Sequence, residues 1–179
     1  MTEGTLALHV PALDELWYRE QLLADPGTMR YNRGYHLNFP GYHDDTGCID
    51  FPKDQWEHWH RCFCQSEPER YYAYVVRRED GSFLGEVNLH KNASGGWYDM
   101  GIVLEAAHRG RGYAAEALRL LLQKAFVRLG ALEVRNDFEP DRVSALKAHL
   151  SSGFTIAGEE NSLVQVRLTK EAFEQAGQA

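Results

Sequence analysis

Between residues 100 and 118 the chain runs from an apolar stretch ending near Leu104, through a short loop, into Arg109-Gly110-Arg111-Gly112, and at once into an amphipathic segment. This order predicts a strand, a glycine turn and a long helix. The start of a helix presents unpaired N–H groups and a partial positive charge. Glycines let an anion come close to the backbone and relax its dihedrals. Arg109 and Arg111 add positive charge in a chain whose formal net charge is −7. Together these features describe a cradle for a diphosphate. A bare Gly-x-Gly is most often a plain surface loop, but the strand before it and the helix after it shift the reading toward anion binding. Two other phosphate motifs are set aside. No Gly-x-x-x-x-Gly-Lys-Ser/Thr is present, and the dinucleotide pattern would end in Ala115 rather than Gly.

The surroundings predict a mixed sheet. Residues 71–78, 82–91 and 97–105 are rich in β-branched and aromatic side chains and are separated by turns, which is an antiparallel meander. A helix over 112–129 carries Ala114, Leu118, Leu121, Ala125 and Leu129 at helical spacing, and Gly130 ends it. A strand (132–138), a helix (141–151) with Asp141 as its expected cap, two strands (153–157 and 163–168) and a short closing helix (169–176) follow. At the other end, a strand over 5–10 leads into a helix opened by Pro11 and running to residue 24, with Leu13, Leu16, Trp17 and Leu23 near one face. Residues 28–52 read as a long loop, and 54–65 as a helix whose Trp56, Trp59 and Phe63 are core candidates. The fold class is α/β or α+β, with a mainly antiparallel sheet flanked by helices.

At 179 residues, with 44% hydrophobic and 25% charged residues, the chain has the composition of one globular domain. Nineteen basic against 26 acidic residues make a general nucleic-acid binder a poor expectation and favour cationic substrates at long range. Apolar runs fall far short of the ~20 residues a bilayer needs, and the N-terminus lacks the basic start of a signal peptide. The three cysteines, Cys48, Cys62 and Cys64, form no disulfide framework, so a cytoplasmic setting is expected. The pairs His58/Cys62 and His60/Cys64 lie roughly 200° apart on a helix, so they do not converge on one metal ion, and no metal is expected. The loop over 31–50 brings Tyr31, Tyr35 and Tyr42 together with His36, His43, Asp44, Asp45 and Asp50. Its aromatic walls and carboxylates suit an ammonium-bearing acceptor.

The chain resembles the GNAT acetyltransferase superfamily. Residues 109–114 satisfy its cofactor pattern Gln/Arg-x-x-Gly-x-Gly/Ala, and 141–154, ending in Gly153-Phe154, resembles its second motif. The resemblance covers 70–168 strand by strand, and the first 69 residues only in outline.

The resemblance implies a GNAT-like domain over 1–179, with a variable acceptor region at 28–66 and an acetyl-CoA-binding core at 97–154. Two central parallel strands, 97–105 and 132–138, would splay apart. Ile102, Val103 and Leu104 would meet the pantetheine arm, and Arg109, Gly110, Arg111, Gly112, Tyr113 and Ala114 would hold the diphosphate. The implied activity is direct acetyl transfer from acetyl-CoA to an amine of a small molecule or peptide, without metal; a homodimer is compatible with the family. A non-catalytic acyl-CoA-binding sensor is the alternative. The sequence departs from the family twice. His149 stands where the family commonly has a tyrosine acid, and Asp141 stands in place of the usual Asn. His149 is one candidate for proton transfer. Glu86 is the other, because Glu86, Asn88 and His90 alternate on one strand face that is either the cleft or the solvent side of the meander. Asp99 is a weaker candidate.

Overall fold

The computed structural model describes residues 4–177. Strand β1 (Leu6–His9) is followed by a 3-10 turn (Leu13–Glu15), helix α1 (Trp17–Ala24), a short helix α2 (Pro26–Met29) and helix α3 (Lys53–Cys64). Strands β2 (Arg70–Arg77), β3 (Phe83–Lys91) and β4 (Tyr98–Leu104) form the expected meander. Then come α4 (Tyr113–Gln123), β5 (Glu133–Phe138), α5 (Val143–Ser151), β6 (Thr155–Glu160), β7 (Leu163–Thr169) and α6 (Lys170–Ala176). One seven-stranded sheet has the order β1-β2-β3-β4-β5-β7-β6, antiparallel throughout except between β4 and β5.

The period of two in β2 sorts the core into two faces. Tyr71, Ala73 and Val75 pack with Leu84, Val87, Met100 and Leu104 against Ala117, Leu118, Leu121 and Leu122 of α4. Tyr72 and Tyr74 point the other way, toward Tyr18 and Leu22 of α1 and Trp59 and Phe63 of α3. Register carries this division across the meander. Tyr74 lies opposite Glu86, Glu86 opposite Val103, and Asn88 opposite Gly101. The face of Glu86 is therefore the one roofed by α1 and α3, and Glu86 is only 5% exposed. It is not the solvent side of the meander.

Three local expectations are corrected. The N-terminal helix is broken, because Glu15 turns back to accept the Ala12 N–H at 2.7 Å and closes a 3-10 turn before α1 begins. A 3-10 turn advances three residues per revolution and so resets the buried face. Leu16, Tyr18, Leu22 and Leu23 point inward, whereas Leu13 and Trp17 are 42% and 49% exposed. Downstream, α4 continues as a π-helical turn (Lys124–Arg128) rather than as α-helix. Asp141 does not cap α5 with its carboxylate; Arg142 is the N-cap, and the Val143 N–H bonds the Asp141 carbonyl at 2.8 Å.

The sheet opens at its centre. β4 and β5 pair only at Tyr98/Val134 and Asp99/Arg135, and beyond those two positions the parallel strands separate. Among the described residues no helix is long and apolar enough to cross a membrane.

Candidate active site

The gap between β4 and β5 is lined by free backbone on one side. Glu105 N–H donates to Leu84 O at 3.0 Å, and Asn92 N–H donates to Trp97 O at 2.8 Å. In an antiparallel ladder such bonds recur at every second residue. The odd-numbered residues of β4 therefore bond to β3, and Met100, Ile102 and Leu104 turn their N–H and C=O groups toward β5. The Ile102 main chain faces the open gap. That of Val103 is spent on the β3 ladder opposite Glu86, and its side chain packs with Tyr72 and Tyr74. The Leu104 carbonyl accepts from Arg109 Nε at 3.0 Å.

The gap leads to the glycine turn. Gly110 and Gly112 sit at φ +74° and +83°, in the left-handed region, and Gly112 is the N-cap of α4. A Cβ on either would meet no atom within 4 Å, so space stands open over both. The N–H groups of Gly110, Arg111 and Gly112 find no acceptor among the described residues. Unbonded amides under open space at a helix N-terminus are what a diphosphate requires. The Arg109 side chain, by contrast, turns away from the cradle. Its guanidinium donates to the carbonyls of Leu104, Gly27 (3.4 Å) and Thr28 (2.7 Å), which ties the turn to α2.

Beside the gap, under α1 and α3, lies a buried polar group that the linear sequence does not reveal. Arg19 of α1 donates to Glu86 Oε2 at 2.5 Å, and the Tyr72 hydroxyl donates to the same oxygen. The Arg19 guanidinium also lies 4.4 Å over the Trp59 ring and 5.3 Å from those of Phe51 and Tyr72. Burial opposes its charge, but Glu86 outweighs that penalty and raises its pKa. Burial, reinforced by Glu86, pushes the Tyr72 hydroxyl well above its ordinary value, so it stays protonated and donates. Next to this group the Asn88 amide lies over Gly101, where a Cβ would come within 2.6 Å of its Nδ2. Asp99 sits elsewhere; it is exposed and accepts from the Trp97 indole at 3.0 Å.

His149 is 1% exposed, with its ring against Phe138 and Phe154, each centroid 5.0 Å away. Nδ1 lies 2.8 Å from the Ala145 carbonyl, which only accepts, so Nδ1 carries the proton. Nε2 is left to accept from Asn136 Nδ2 at 3.0 Å. The Asp137 N–H bonds Asn136 Oδ1 at 3.0 Å and fixes the orientation of that amide. Burial lowers the His149 pKa, the Ala145 carbonyl opposes this, and the charge of Arg142 lowers it further. The ring is thus neutral and fully partnered. Asn136, which sequence reasoning missed, is the first β5 residue beyond the last β4 pair and stands where the gap opens.

The loop over 31–50 spends two of its three carboxylates on itself, and Asp45 is left exposed. Asp44 accepts from the His36 N–H at 2.8 Å and pairs with the His36 ring at 3.0 Å, and Asp50 pairs with His43 at 2.9 Å. Tyr42 donates to the Asn32 carbonyl at 2.6 Å. What faces inward is a cavity of about 510 Å³, lined by Arg30, Tyr31 and Arg33 of this region together with Glu139, Asp141 and Arg142 after β5. The Arg142 guanidinium stacks on Tyr31 at 4.8 Å and on Phe138 at 5.9 Å. On α3, His58 and Cys62 approach each other at 3.7 Å, while His60 bonds the Pro11 carbonyl at 2.8 Å, so the two His/Cys pairs point apart.

The family model described as an acetyltransferase (GNAT) domain matches residues 6–155. No curated protein matches the sequence. Among solved structures, spermidine N-acetyltransferase from Vibrio cholerae in complex with CoA and spermine superposes with a TM-score of 0.75 at 15% identity, covering 96% of this chain and 99% of that one. A GNAT-family acetyltransferase from Bacillus anthracis gives 0.71 at 13% identity, covering 96% and 98%. Apo FdhC, a nucleotide-linked sugar GNAT, gives 0.70 at 18% identity, covering 96% and 90%. At these identities the likeness establishes the fold.

Proposed function

The chain belongs to the GNAT acetyltransferase family, and we propose that it transfers an acetyl group from acetyl-CoA directly to the primary amine of a small molecule or peptide. One observation carries this reading: a two-pair parallel contact that opens into a gap lined by free Ile102 backbone and ends at the unbonded amides of Gly110, Arg111 and Gly112. A long, flexible thioester with a diphosphate at its far end fits that shape. In this assignment residues 97–154 form the acetyl-CoA core and 28–66 the acceptor region. The amides from Gly110 to Ala114 hold the diphosphate, and Arg109 holds the turn. Ile102, with Leu104 beside it, guides the pantetheine arm, and a strand N–H in the gap polarises the thioester carbonyl, which is often the largest catalytic contribution.

An alkyl amine with a pKa near 10.4 is only about 0.04% neutral at pH 7, so a proton must leave it before attack. Glu86 receives Arg19 and Tyr72 at Oε2 alone, and Oε1 has no hydrogen bond among the described residues. Oε1 is the proposed acceptor for that proton, through a water. His149 has no free N–H to give. Its proposed duty is to position Asn136, whose second amide hydrogen is then offered to the leaving sulfur.

The test is thiol release from acetyl-CoA against a panel of amines, with acetyl-CoA binding followed by calorimetry. Turnover above hydrolysis that falls at least tenfold in Glu86→Gln supports the reading, and its absence across a broad panel counts against it. The locked His149 favours the second reading, an acyl-CoA sensor. That reading expects tight acetyl-CoA binding with no turnover.

A further inference from the structure

The cavity beside the gap carries both signs of charge, in a pattern that, given the acetyltransferase reading above, narrows the acceptor class. Arg30 and Arg33 are exposed and make no ion pair or side-chain hydrogen bond among the described residues. Arg142 reaches only one carboxylate, Glu139, at 3.7 Å, and otherwise stacks on Tyr31. Glu139 has both carboxylate oxygens shielded from solvent and without a hydrogen bond. Three guanidiniums, two of them unpaired, therefore meet two carboxylates, the paired Glu139 and the exposed Asp141, which leaves a local excess of positive charge in a chain whose net charge is −7.

Nearby groups feel this local positive field. Removal from water, and then the charges of Arg142 and Arg30, lower the pKa of Arg109, against the opposing pull of Tyr31 and Asp25. An evolved site for a purely cationic amine would not gather guanidiniums at its mouth, because like charges in a partly closed cavity repel the ligand. Guanidinium forks match carboxylate and phosphate oxygens in geometry as well as charge.

We infer that the acceptor is an amine that also bears an acidic group. The Arg30, Arg33 and Arg142 guanidiniums hold its phosphate or carboxylate, and the exposed Asp141 is the carboxylate open to the ammonium end. Tyr31 supplies the flat wall between this cavity and the Arg19–Glu86 group, whose charges reach its hydroxyl. The acetyl group moves as before: the amine proton passes through a water to Glu86 Oε1, the amine nitrogen bonds the acyl carbon, and the carbon–sulfur bond breaks to release the CoA thiolate toward the Asn136 amide.

The experiment uses the full chain, acetyl-CoA and four probes: ethanolamine, phosphoethanolamine, β-alanine and spermidine. The readout is kcat/KM by thiol release. At least tenfold preference for phosphoethanolamine or β-alanine over ethanolamine and spermidine is expected, and the ratio between the two acids separates phosphate from carboxylate recognition. In Arg30→Gln/Arg33→Gln, both at exposed positions where folding is little disturbed, the preference is expected to fall about tenfold. Faster turnover of spermidine or ethanolamine by the wild type overturns the inference while leaving the acetyltransferase intact. So does a tenfold rise in KM for acetyl-CoA in the double variant, since the arginines then serve the cofactor. Acetyl-CoA binding without turnover of any probe or of the broader amine panel overturns the enzyme reading, and this inference with it.

Discussion

The glycine turn, tied by Arg109 to α2, and the arginine-lined cavity that begins just after α2 are built from different materials. The turn is main chain: two left-handed glycines, a row of unbonded amides, and a helix start. Every part of it comes from fewer than ten consecutive residues. The cavity is side chain, drawn from the region after α2, from the segment after β5 more than 100 positions away, and from the turn between β6 and β7. Backbone sites are specified by local sequence because dihedral needs are local. Side-chain sites are specified by the fold that brings distant positions together.

The sharpest challenge to this contrast concerns the Arg19–Glu86–Tyr72 group, which joins positions 67 apart. Glu86→Ala leaves a buried guanidinium with no counter-charge, and a loss of about 3–5 kcal/mol is expected by urea unfolding. The double variant Arg19→Met/Glu86→Leu should recover most of that loss. If Glu86→Ala is neutral, the group is not the interior node described.

Gly112→Asp tests the backbone side. It forces an aspartate to φ +83° and places a carboxylate in the proposed diphosphate cradle. Acetyl-CoA affinity should fall at least 100-fold by calorimetry, about 2.8 kcal/mol, with an unchanged circular dichroism spectrum. A smaller loss would mean that the diphosphate is held by side chains after all.

Arg109→Ala comes next in size. It removes three hydrogen bonds to carbonyls that brace the turn, so affinity should drop about tenfold, and Arg109→Lys should not restore it, because one ammonium cannot span the three acceptors.

The smallest effect concerns pH. His149 is held neutral, with its pKa below the ordinary value near 6.5. Below that value the unfolded chain binds a proton that the folded ring resists. Its contribution to stability is complete above about pH 6.5 and is lost as pH falls toward the folded value. Urea midpoints at pH 7.5 and 5.5 should differ less in His149→Gln than in the wild type. Identical differences would show that the ring titrates freely.

The turn, the meander and the helix after it were legible because each rests on a local pattern: glycines, alternation, helical spacing. The loop over 31–50 was legible in composition but not in how its groups are spent. Its tyrosines and acids suggested an ammonium site, yet Asp44 and Asp50 pin the loop to its own histidines and amides, and the arginines beside them line the cavity. Nothing local distinguishes a carboxylate that faces a ligand from one that caps its own loop. The face of Glu86 was likewise undecided until α1 and α3 were seen to roof it. His149 was readable as a departure from a motif, but its hydrogen bonds to Ala145 and Asn136 follow from the packing of α5 on β5.

Two pairs of residues are all that join β4 to β5. In mechanical terms the sheet is two panels, β1 to β4 and β5 to β6, stitched at one end of a shared seam, with α4 and α5 as the strap behind it. A molecule lying in the open end would supply the missing rungs and clamp the panels together. Such a ligand shifts the unfolding equilibrium by mass action, about 2.7 kcal/mol at a hundredfold excess over its Kd. Amide exchange in both panels should slow together when acetyl-CoA is added, so the strand amides of β5 and β7 would register an event on β4 that they do not touch.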